Sequence, residues 1–543
     1  MKTTKLLLFI FLLIASCKLQ TICSAQPLQQ WVSSYNGTAN QLDYGRAIQV
    51  DTAGNSYIAG TVSNSGTAKD IAVVKYNSLG VQQWVATYNG TANSEEWAYC
   101  LVLDKAGNIY TAGFTNTTSL GKNFITVKFD SVGVFQWAMQ YDGTGNSDDA
   151  ANHIAVDPWG NIAVTGISKG SGTSDDYATV KYSPQGTQLW VARYDGPASA
   201  VDDARTITAD KNGNFYVSGG STGIASDYDY ATIKYDSAGV QQWCARYNGP
   251  KNGYDLVYYQ GSVVVDTLGN VYITGYSTGT DSTLDYVTIK YDSNGSQLWL
   301  ARYFTQVGGT DYADAIHVDD SLNVYVTGGS FKTGNDYEFA TVKYNSQGVQ
   351  QWVATYNGTG NSWDEAYGVL TDDSLNVYIV GRSPGTNTSA DFLTLKYSPA
   401  GNKMWEVRYA HNGYDWPFNI RISSDRSIYV GGWTSPSNGM PDMTIVKYSQ
   451  APLGIENYAG KTKELEIFPN PSNGNFTINF NSELRTPDLQ LTIYNVMGEK
   501  LFEQTVNRKQ ETLNLKLPDG IYFIRVTSEA ITTSNKLIIT SKN

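Results

Sequence analysis

The sequence predicts an all-β protein: an eight-bladed β-propeller closed by an N-terminal strand, followed by a small β-sandwich C-terminal domain. Three observations predict it. A lysine recurs at Lys75, Lys128, Lys181, Lys234, Lys290, Lys343, Lys396 and Lys447, in steps of 53 residues except for one of 56 and one of 51. A period of this size marks a repeat architecture. Within each period stand four short runs of alternating character closed by Gly, Asn, Ser or Asp, the pattern of antiparallel strands. Finally, each lysine but the last is followed nine residues later by a tryptophan, whereas the corresponding place after Lys447 is Glu456 and the missing strand appears at the start, around Trp31. A first strand that completes the last unit closes a ring and removes the open edges of a linear array.

Composition bounds the function. The chain has 543 residues, 13% aromatics and a formal net charge of -12. That charge excludes a nucleic-acid partner, which needs clustered Lys and Arg against phosphates. Four cysteines are present. Cys17 and Cys23 fall in the N-terminal segment, and Cys100 and Cys244 occupy different columns of different repeats, so they read as separate thiols.

Taken in order, Met1 to Ala25 reads as a secretory signal. Lys2 and Lys5 precede the apolar run Leu6–Ala15, and Cys23, Ser24 and Ala25 form a small-residue cleavage site before Gln26. Ile14–Cys17 resembles a bacterial lipoprotein box, so a lipidated Cys17 stands as the alternative. No other apolar run approaches the ~20 residues that span a bilayer.

Residues 26–450 hold the repeats. Trp31, Trp84, Trp137, Trp190, Trp243, Trp299, Trp352 and Trp405 mark the fourth strands. The turn between strands one and two carries an Asp and then Gly-Asn, as in Asp51 with Gly54 and Asn55, which supplies the positive-φ positions of a tight hairpin. Units six and seven have Leu322 and Leu375 in the glycine's place. Residues 451–463 are a linker. Residues 464–543 change character, with alternating strands at Asn475–Phe480, Leu491–Val496, Ile521–Val526 and Lys536–Thr540.

Two resemblances attach to these residues. The repeat, Asp-x-Ala-x-x-Ile-x-Val-Asp-x-x-Gly-Asn-x-Tyr-Val-x-Gly, resembles the bacterial propeller repeats labelled SBBP. The tail, with Pro469, Asn470 and Pro471, then Asn473 and Gly474, Asn495–Gly498, Gly520–Tyr522 and the Lys536 strand, resembles the type A sorting domain of the Bacteroidetes type IX secretion system. That second resemblance implies the type IX machinery as partner of residues 464–543, export to the cell surface or beyond, and removal of the tail. Six turns, at Asp51, Asp130, Asp236, Asp266, Asp320 and Asp373, also resemble the Bacteroidetes O-glycosylation motif, though Asp-Ser and Asp-Thr are ordinary turn chemistry.

Columns repeated in every unit are read as structural. The lysines fall under this, with an acid or amide five residues before each (Asp70 to Asp442) as the expected partner. A second acidic column, Asp43, Glu96, Asp149, Asp202, Asp255, Asp311, Asp364 and Asp415, precedes each first strand. It would either ring the channel mouth as a cation site or hold backbone amides in its own loops.

Function is expected where the repeat breaks. Tyr44, Trp97, Tyr312, Trp363, Trp416 and Trp433 vary between units and share one predicted face, and unit five carries a three-residue insertion within Tyr254–Gly261. Exposed aromatics beside acids and amides suit sugar stacking or a protein partner's hot spot. Adjacent acids such as Asp202 with Asp203, and Asp364 with Glu365, offer a weak acid/base signal. No nucleophile motif or metal-ligand cluster is seen, and His153, His317 and His411 lie in unrelated columns. The expected function is a secreted or surface binding or scaffold module without cofactor or metal. A polysaccharide-binding protein is its sharper form, and a carbohydrate-active enzyme ranks third.

Overall fold

The computed structural model describes residues 26–450 and 465–540, apart from short internal stretches. The expected signal segment, with its alternative at Cys17, lies outside these residues, as do the linker and the sorting-tail stretch 496–499. The described residues form two compact units, Gln26–Gln450 and the tail from Leu465 on.

Every regular element among the described residues is a β-strand. In Gln26–Gln450 the strands pair into four-stranded antiparallel sheets arranged in a propeller-like manner. Numbering them along the chain, sheet 1 comprises Tyr44–Val50, Ser56–Ser63, Lys69–Tyr76 and Gln82–Tyr88, and sheet 4 comprises Asp202–Ala209, Phe215–Thr222, Tyr228–Tyr235 and Gln241–Tyr247; sheets 2, 3, 6 and 7 span residues 96–141, 149–194, 311–356 and 365–409. Sheet 8 has three strands from its own repeat, Asp415–Ile422, Ile428–Thr434 and Asp442–Ser449, and a fourth from the start of the chain, Leu28–Tyr35. Sheet 5 has its first strand split into Asp255–Leu256 and Val263–Val265.

The second and third strands are apolar on both faces because each sheet is covered on both sides. Ala47, Tyr57, Ala59 and Val73 of sheet 1 pack with Ala98, Leu101, Ile125 and Val127 of sheet 2. The opposite face of sheet 1, with Ile48, Ile58, Ala72 and Val74, packs on Tyr429, Met443 and Ile445 of sheet 8. Each fully buried aliphatic of this kind contributes about 1.5–3 kcal/mol.

The lysine column has different partners from those expected. Lys181 and Trp190 of sheet 3 both donate to the Ser237 carbonyl in the next sheet, at 3.1 and 3.2 Å. Lys234 and Trp243 do the same to Ser293. Where a carboxylate is close, it is the hairpin aspartate, as in Lys181–Asp157 at 3.1 Å. The acid five residues earlier pairs instead with a fourth-strand arginine, as in Arg193–Asp176 at 2.8 Å and Arg302–Asp285 at 2.8 Å. The geometry explains the switch. Five residues apart on one strand puts lysine and acid on opposite faces, whereas the fourth-strand arginine lies on the acid's side. Lys447 and Trp31 donate in the same way to Ser78 of sheet 1, and Trp31 pairs with Lys447 as Trp243 does with Lys234.

In the hairpins only the glycine of the expected Gly-Asn pair takes positive φ, as Gly54 does at 78°, and the asparagine binds the aspartate instead. Asp51 accepts from the Ala53 and Asn55 amides with one oxygen and from Asn55 Nδ2 and Tyr57 Oη with the other. Leu322 and Leu375 take the left-handed conformation of the glycines they replace, with φ of 62° and 60°. A left-handed non-glycine residue costs about 1–2 kcal/mol, part of which glycine returns as chain entropy. Leu322→Gly and Leu375→Gly are therefore expected to add about 0.5–1 kcal/mol each to unfolding stability. A higher denaturant midpoint checks this, and a lower one contradicts it.

In the tail unit, Leu465–Phe468, Asn475–Phe480 and Gln510–Asn514 form one sheet, and Leu489–Asn495, Lys500–Val506, Gly520–Thr527 and Thr532–Ile539 form a second. The two share a core of Leu465, Phe476, Ile478, Leu491, Ile493, Ile524, Val526 and Leu537. Asn470 secures the Pro469–Pro471 segment to the last strand, donating to the Lys536 carbonyl and accepting from the Ile538 amide.

Candidate functional site

The acidic column does not present a ring of carboxylates to solvent. Asp43, Glu96, Asp149, Asp202, Asp255, Asp311, Asp364 and Asp415 are all fully buried. They anchor loops. Asp43 accepts from the Gly37 amide at 2.5 Å and the Ser63 amide at 2.7 Å, joining the loop before its strand to the end of the second strand. Asp149 repeats this with Gly143 and Lys169, and Asp415 takes the His411 amide at 2.7 Å. Of the two readings of this column, the oxygens follow the one in which they hold backbone amides, not the cation ring. The adjacent acids split for the same reason: Asp202 accepts from Gly196 while Asp203, on the other side of the strand, pairs with Arg205. Carboxylate oxygens of Asp176, Asp195 and Asp202 do lie within 4.8 Å of one another, but Asp176 is already paired with Arg193.

Burial pushes the carboxyl groups of this column up, to about 6 for Asp364 and about 7 for Asp415. A carboxyl raised in the folded state binds its proton more tightly there than in the unfolded chain. Its contribution is therefore full below about pH 4 and falls as pH rises through 6 to 7. Asp415→Asn, which keeps the acceptor for His411, is expected to lose less stability between pH 5 and pH 8 than the parent. Thermal melts at the two pH values check this, and an unchanged difference contradicts it.

A different column builds the site. Each first strand slips register by one residue at the same point, a β-bulge, and the skipped residues are Arg46, Tyr99, Asn152, Arg205, Asp314, Tyr367 and Phe418. In sheet 5 the insertion Val257–Ser262 takes the place of the bulge. Bulges re-aim side chains and are frequent beside functional sites. Here they converge. The Arg46 guanidinium stands 4.9 Å from the Phe418 ring centre, Phe418 is 6.3 Å from Tyr367, and Tyr367 is 5.5 Å from Tyr259 of the insertion. Arg205 stands 5.0 Å from the Tyr258 ring centre, and Asn152 donates to the Ala204 carbonyl at 2.8 Å.

The insertion lies across the inner strands. Gln260 donates to the Asn152 carbonyl of sheet 3 at 2.6 Å, Ser262 to the Asp314 carbonyl of sheet 6 at 3.0 Å, and Tyr259 meets Tyr367 of sheet 7. Gln260 and Gly261 also line a cavity of about 190 Å³ among the first strands, along with His153, Gln49, Asn419 and Arg421. Burial, reinforced by the Arg421 charge, holds the His153 imidazole down at about 4, and its Nδ1 accepts from the Ile207 amide.

The six predicted face aromatics fall on one belt around this ring. Tyr44 stacks on Trp97 at 5.7 Å and meets Trp433 edge-on at 5.7 Å, and Trp433 stacks on Trp416 at 6.0 Å. Arg382 bridges Trp416, at 4.2 Å, to Trp363, at 5.1 Å. Trp363 stacks on Tyr337 at 4.7 Å and Tyr337 on Tyr312 at 5.9 Å; from there Tyr276 leads to Tyr258. Stacking uses up much of this surface: Tyr44, Trp97, Tyr312, Trp416 and Trp433 are part-buried. Trp363 remains 42% exposed and Tyr258 44%. A surface groove of about 550 Å³, lined by Ser63–Lys69 and Glu95, opens beside the Trp97 end.

The ring's charges are largely paired. Arg382 holds Glu365 at 3.0 Å, and Glu365 accepts from Tyr367 Oη at 2.6 Å. Arg205 holds Asp203. Asp314 is buried with Oδ2 unpartnered, and burial together with the nearby Glu365 charge holds its carboxyl well above the usual carboxylate range. Sequence reasoning missed the bulge column. Its signal was present: the residue three after each column acid is Arg46, Tyr99, Asn152, Arg205, Tyr258, Asp314, Tyr367 and Phe418, variable inside an otherwise repeated strand.

Comparison with known proteins places the tail. Residues 466–540 match the secretion system C-terminal sorting domain family. The chain is thus exported through the type IX system to the cell surface or into the medium. No helix among the described residues is long and apolar enough to cross a membrane. An uncharacterized WD repeat-containing protein of Acanthamoeba polyphaga mimivirus is 22% identical over 558 residues, 75% of this chain and 39% of that protein. An endo-acting ulvan lyase of Formosa agariphila is 22% identical over 310 residues, 53% of this chain and 57% of the lyase. The chain therefore spans well under two thirds of either relative. Among solved structures, PorZ, a surface component of the type IX secretion system of Porphyromonas gingivalis, aligns at 12% identity with a TM-score of 0.40, covering 90% of this chain and 68% of PorZ.

Proposed function

We propose that this protein is an exported binding module, a closed eight-bladed propeller of the SBBP type that takes a polysaccharide at the ring of bulged side chains. The observation that carries the reading is the coincidence of three features at one place. The repeat varies there, the first strands bulge there, and Trp363 and Tyr258 stay exposed there beside Arg382 and Arg205. Aromatic rings flanked by fixed polar groups suit stacking on sugar rings with hydroxyl recognition. Ring closure is supported by the bonds from Trp31 and Lys447 to Ser78, which repeat those between consecutive sheets. The ulvan lyase relative, named for a polysaccharide, supports the ligand class. The tail delivers the module and is removed.

Isothermal titration of the full chain with a panel of neutral and acidic oligosaccharides tests this. Saturable binding is expected, and silence across the panel moves the assignment to a protein partner. Buried Asp314 beside Glu365 favours a second reading, glycan cleavage. New reducing ends or unsaturated products on incubation would establish it.

A further inference from the structure

Of the guanidinium groups at the ring and its cavity, Arg205 pairs with Asp203 and Arg382 with Glu365, while Arg421 donates to the Gln49 side chain and the Ile420 carbonyl. Arg46 has no ion pair among the described residues, and its Nε, like those of Arg205 and Arg382, is buried without a hydrogen-bond partner. It lies over Phe418 at 4.9 Å and beside Tyr44 at 5.8 Å. Burial holds its pKa below the ordinary arginine value, against the opposing effect of the Tyr99, Tyr44 and Tyr259 phenols. The ring carboxylates that do hold a guanidinium, Asp203 and Glu365, belong to Arg205 and Arg382. An unpaired, poorly solvated guanidinium is costly to retain. Its planar fork matches a carboxylate or sulfate bidentately.

We propose that the ring takes an acidic sugar unit, with Arg46 as the contact for its anionic group, the carboxylate of a uronate or a sulfate ester. This rests on the polysaccharide reading above and narrows it. Neutral residues of the same chain stack on Trp363 and Tyr258, and the anionic residue reaches the bulge of sheet 1, where Arg46 lies against Phe418 and Tyr44. A wholly neutral glycan would leave Arg46 unpaired.

The test titrates the full chain, its Arg46→Gln variant and its Arg46→Lys variant with oligogalacturonate, a carrageenan oligosaccharide and cellohexaose. The acidic ligands are expected to bind at least tenfold more tightly than cellohexaose. Arg46→Gln is expected to remove about that tenfold for the acidic ligands alone, with Arg46→Lys in between. A response to only one acidic ligand identifies the anion as carboxylate or sulfate. Equal binding of all three, unchanged in Arg46→Gln, overturns the anion assignment and leaves the polysaccharide reading standing. No binding of any ligand overturns both. A ligand-free measurement adds an independent check. Removing an unpaired charge is expected to hold or raise the melting temperature of Arg46→Gln, whereas a fall of several degrees would make Arg46 a structural residue and overturn the proposal.

Discussion

A chain carrying Trp363→Ala together with Tyr258→Ala is expected to lose oligosaccharide binding by roughly a hundredfold or more, with little change in melting temperature. Truncating an anchoring aromatic costs about 2 kcal/mol at a binding hot spot, and each 1.4 kcal/mol is tenfold in Kd. These two rings are the belt members with the most exposed surface, 42% and 44%, and each is held in place by a guanidinium, Arg382 or Arg205. Their removal takes contact area from the ligand more than from the core. Tyr44→Ala should behave differently. Tyr44 is clamped between Trp97 and Trp433, so its loss falls on stability. Titration calorimetry and melts on the same preparations separate the two classes. Unchanged affinity in the double variant would remove the belt from the binding site.

The second large effect concerns ring closure. Trp31→Ala is expected to cost about 3 kcal/mol of unfolding stability, as much as Trp190→Ala in mid-chain. Trp31 covers Gly80, where an added Cβ would lie 2.6 Å from its ring, just as Trp190 covers Gly239 at the same 2.6 Å. Both indoles donate to the turn carbonyl beside that glycine, Ser78 or Ser237. If sheet 8 met sheet 1 only loosely, Trp31→Ala would cost a fraction of Trp190→Ala. Equilibrium denaturation of the two variants side by side decides between these outcomes.

Much of the fold was legible because the repeat states each structural need eight times. The Lys–Trp spacing, the hairpin aspartates and the strand borrowed from the N-terminus all follow from local chemistry and one period. What the repeat hid was direction. Asp43 and its equivalents looked like a channel ring, but their strand position turns them onto loop amides such as Gly37 and Ser63. Asp70 and its equivalents looked like lysine partners, but strand alternation gives such acids to the fourth-strand arginines where these exist. The face aromatics drew notice because they break the pattern. Their stacking on one another, which leaves Trp363 the most exposed of the six, depends on contacts between sheets that no single repeat encodes. The bulge residues escaped notice because a bulge is a pairing event between two strands, and Arg46, Arg205 and Asp314 looked like ordinary polar variation.

The central claim is that ligand enters at the bulge ring. Hydrogen–deuterium exchange of the full chain, with and without a saturating oligosaccharide, tests it most directly. The account predicts added protection in the bulged segments 44–48, 97–101, 150–154, 203–207, 257–262, 312–316, 365–369 and 416–420. Protection confined to the opposite-face turns, such as 51–55 and 77–81, would contradict it.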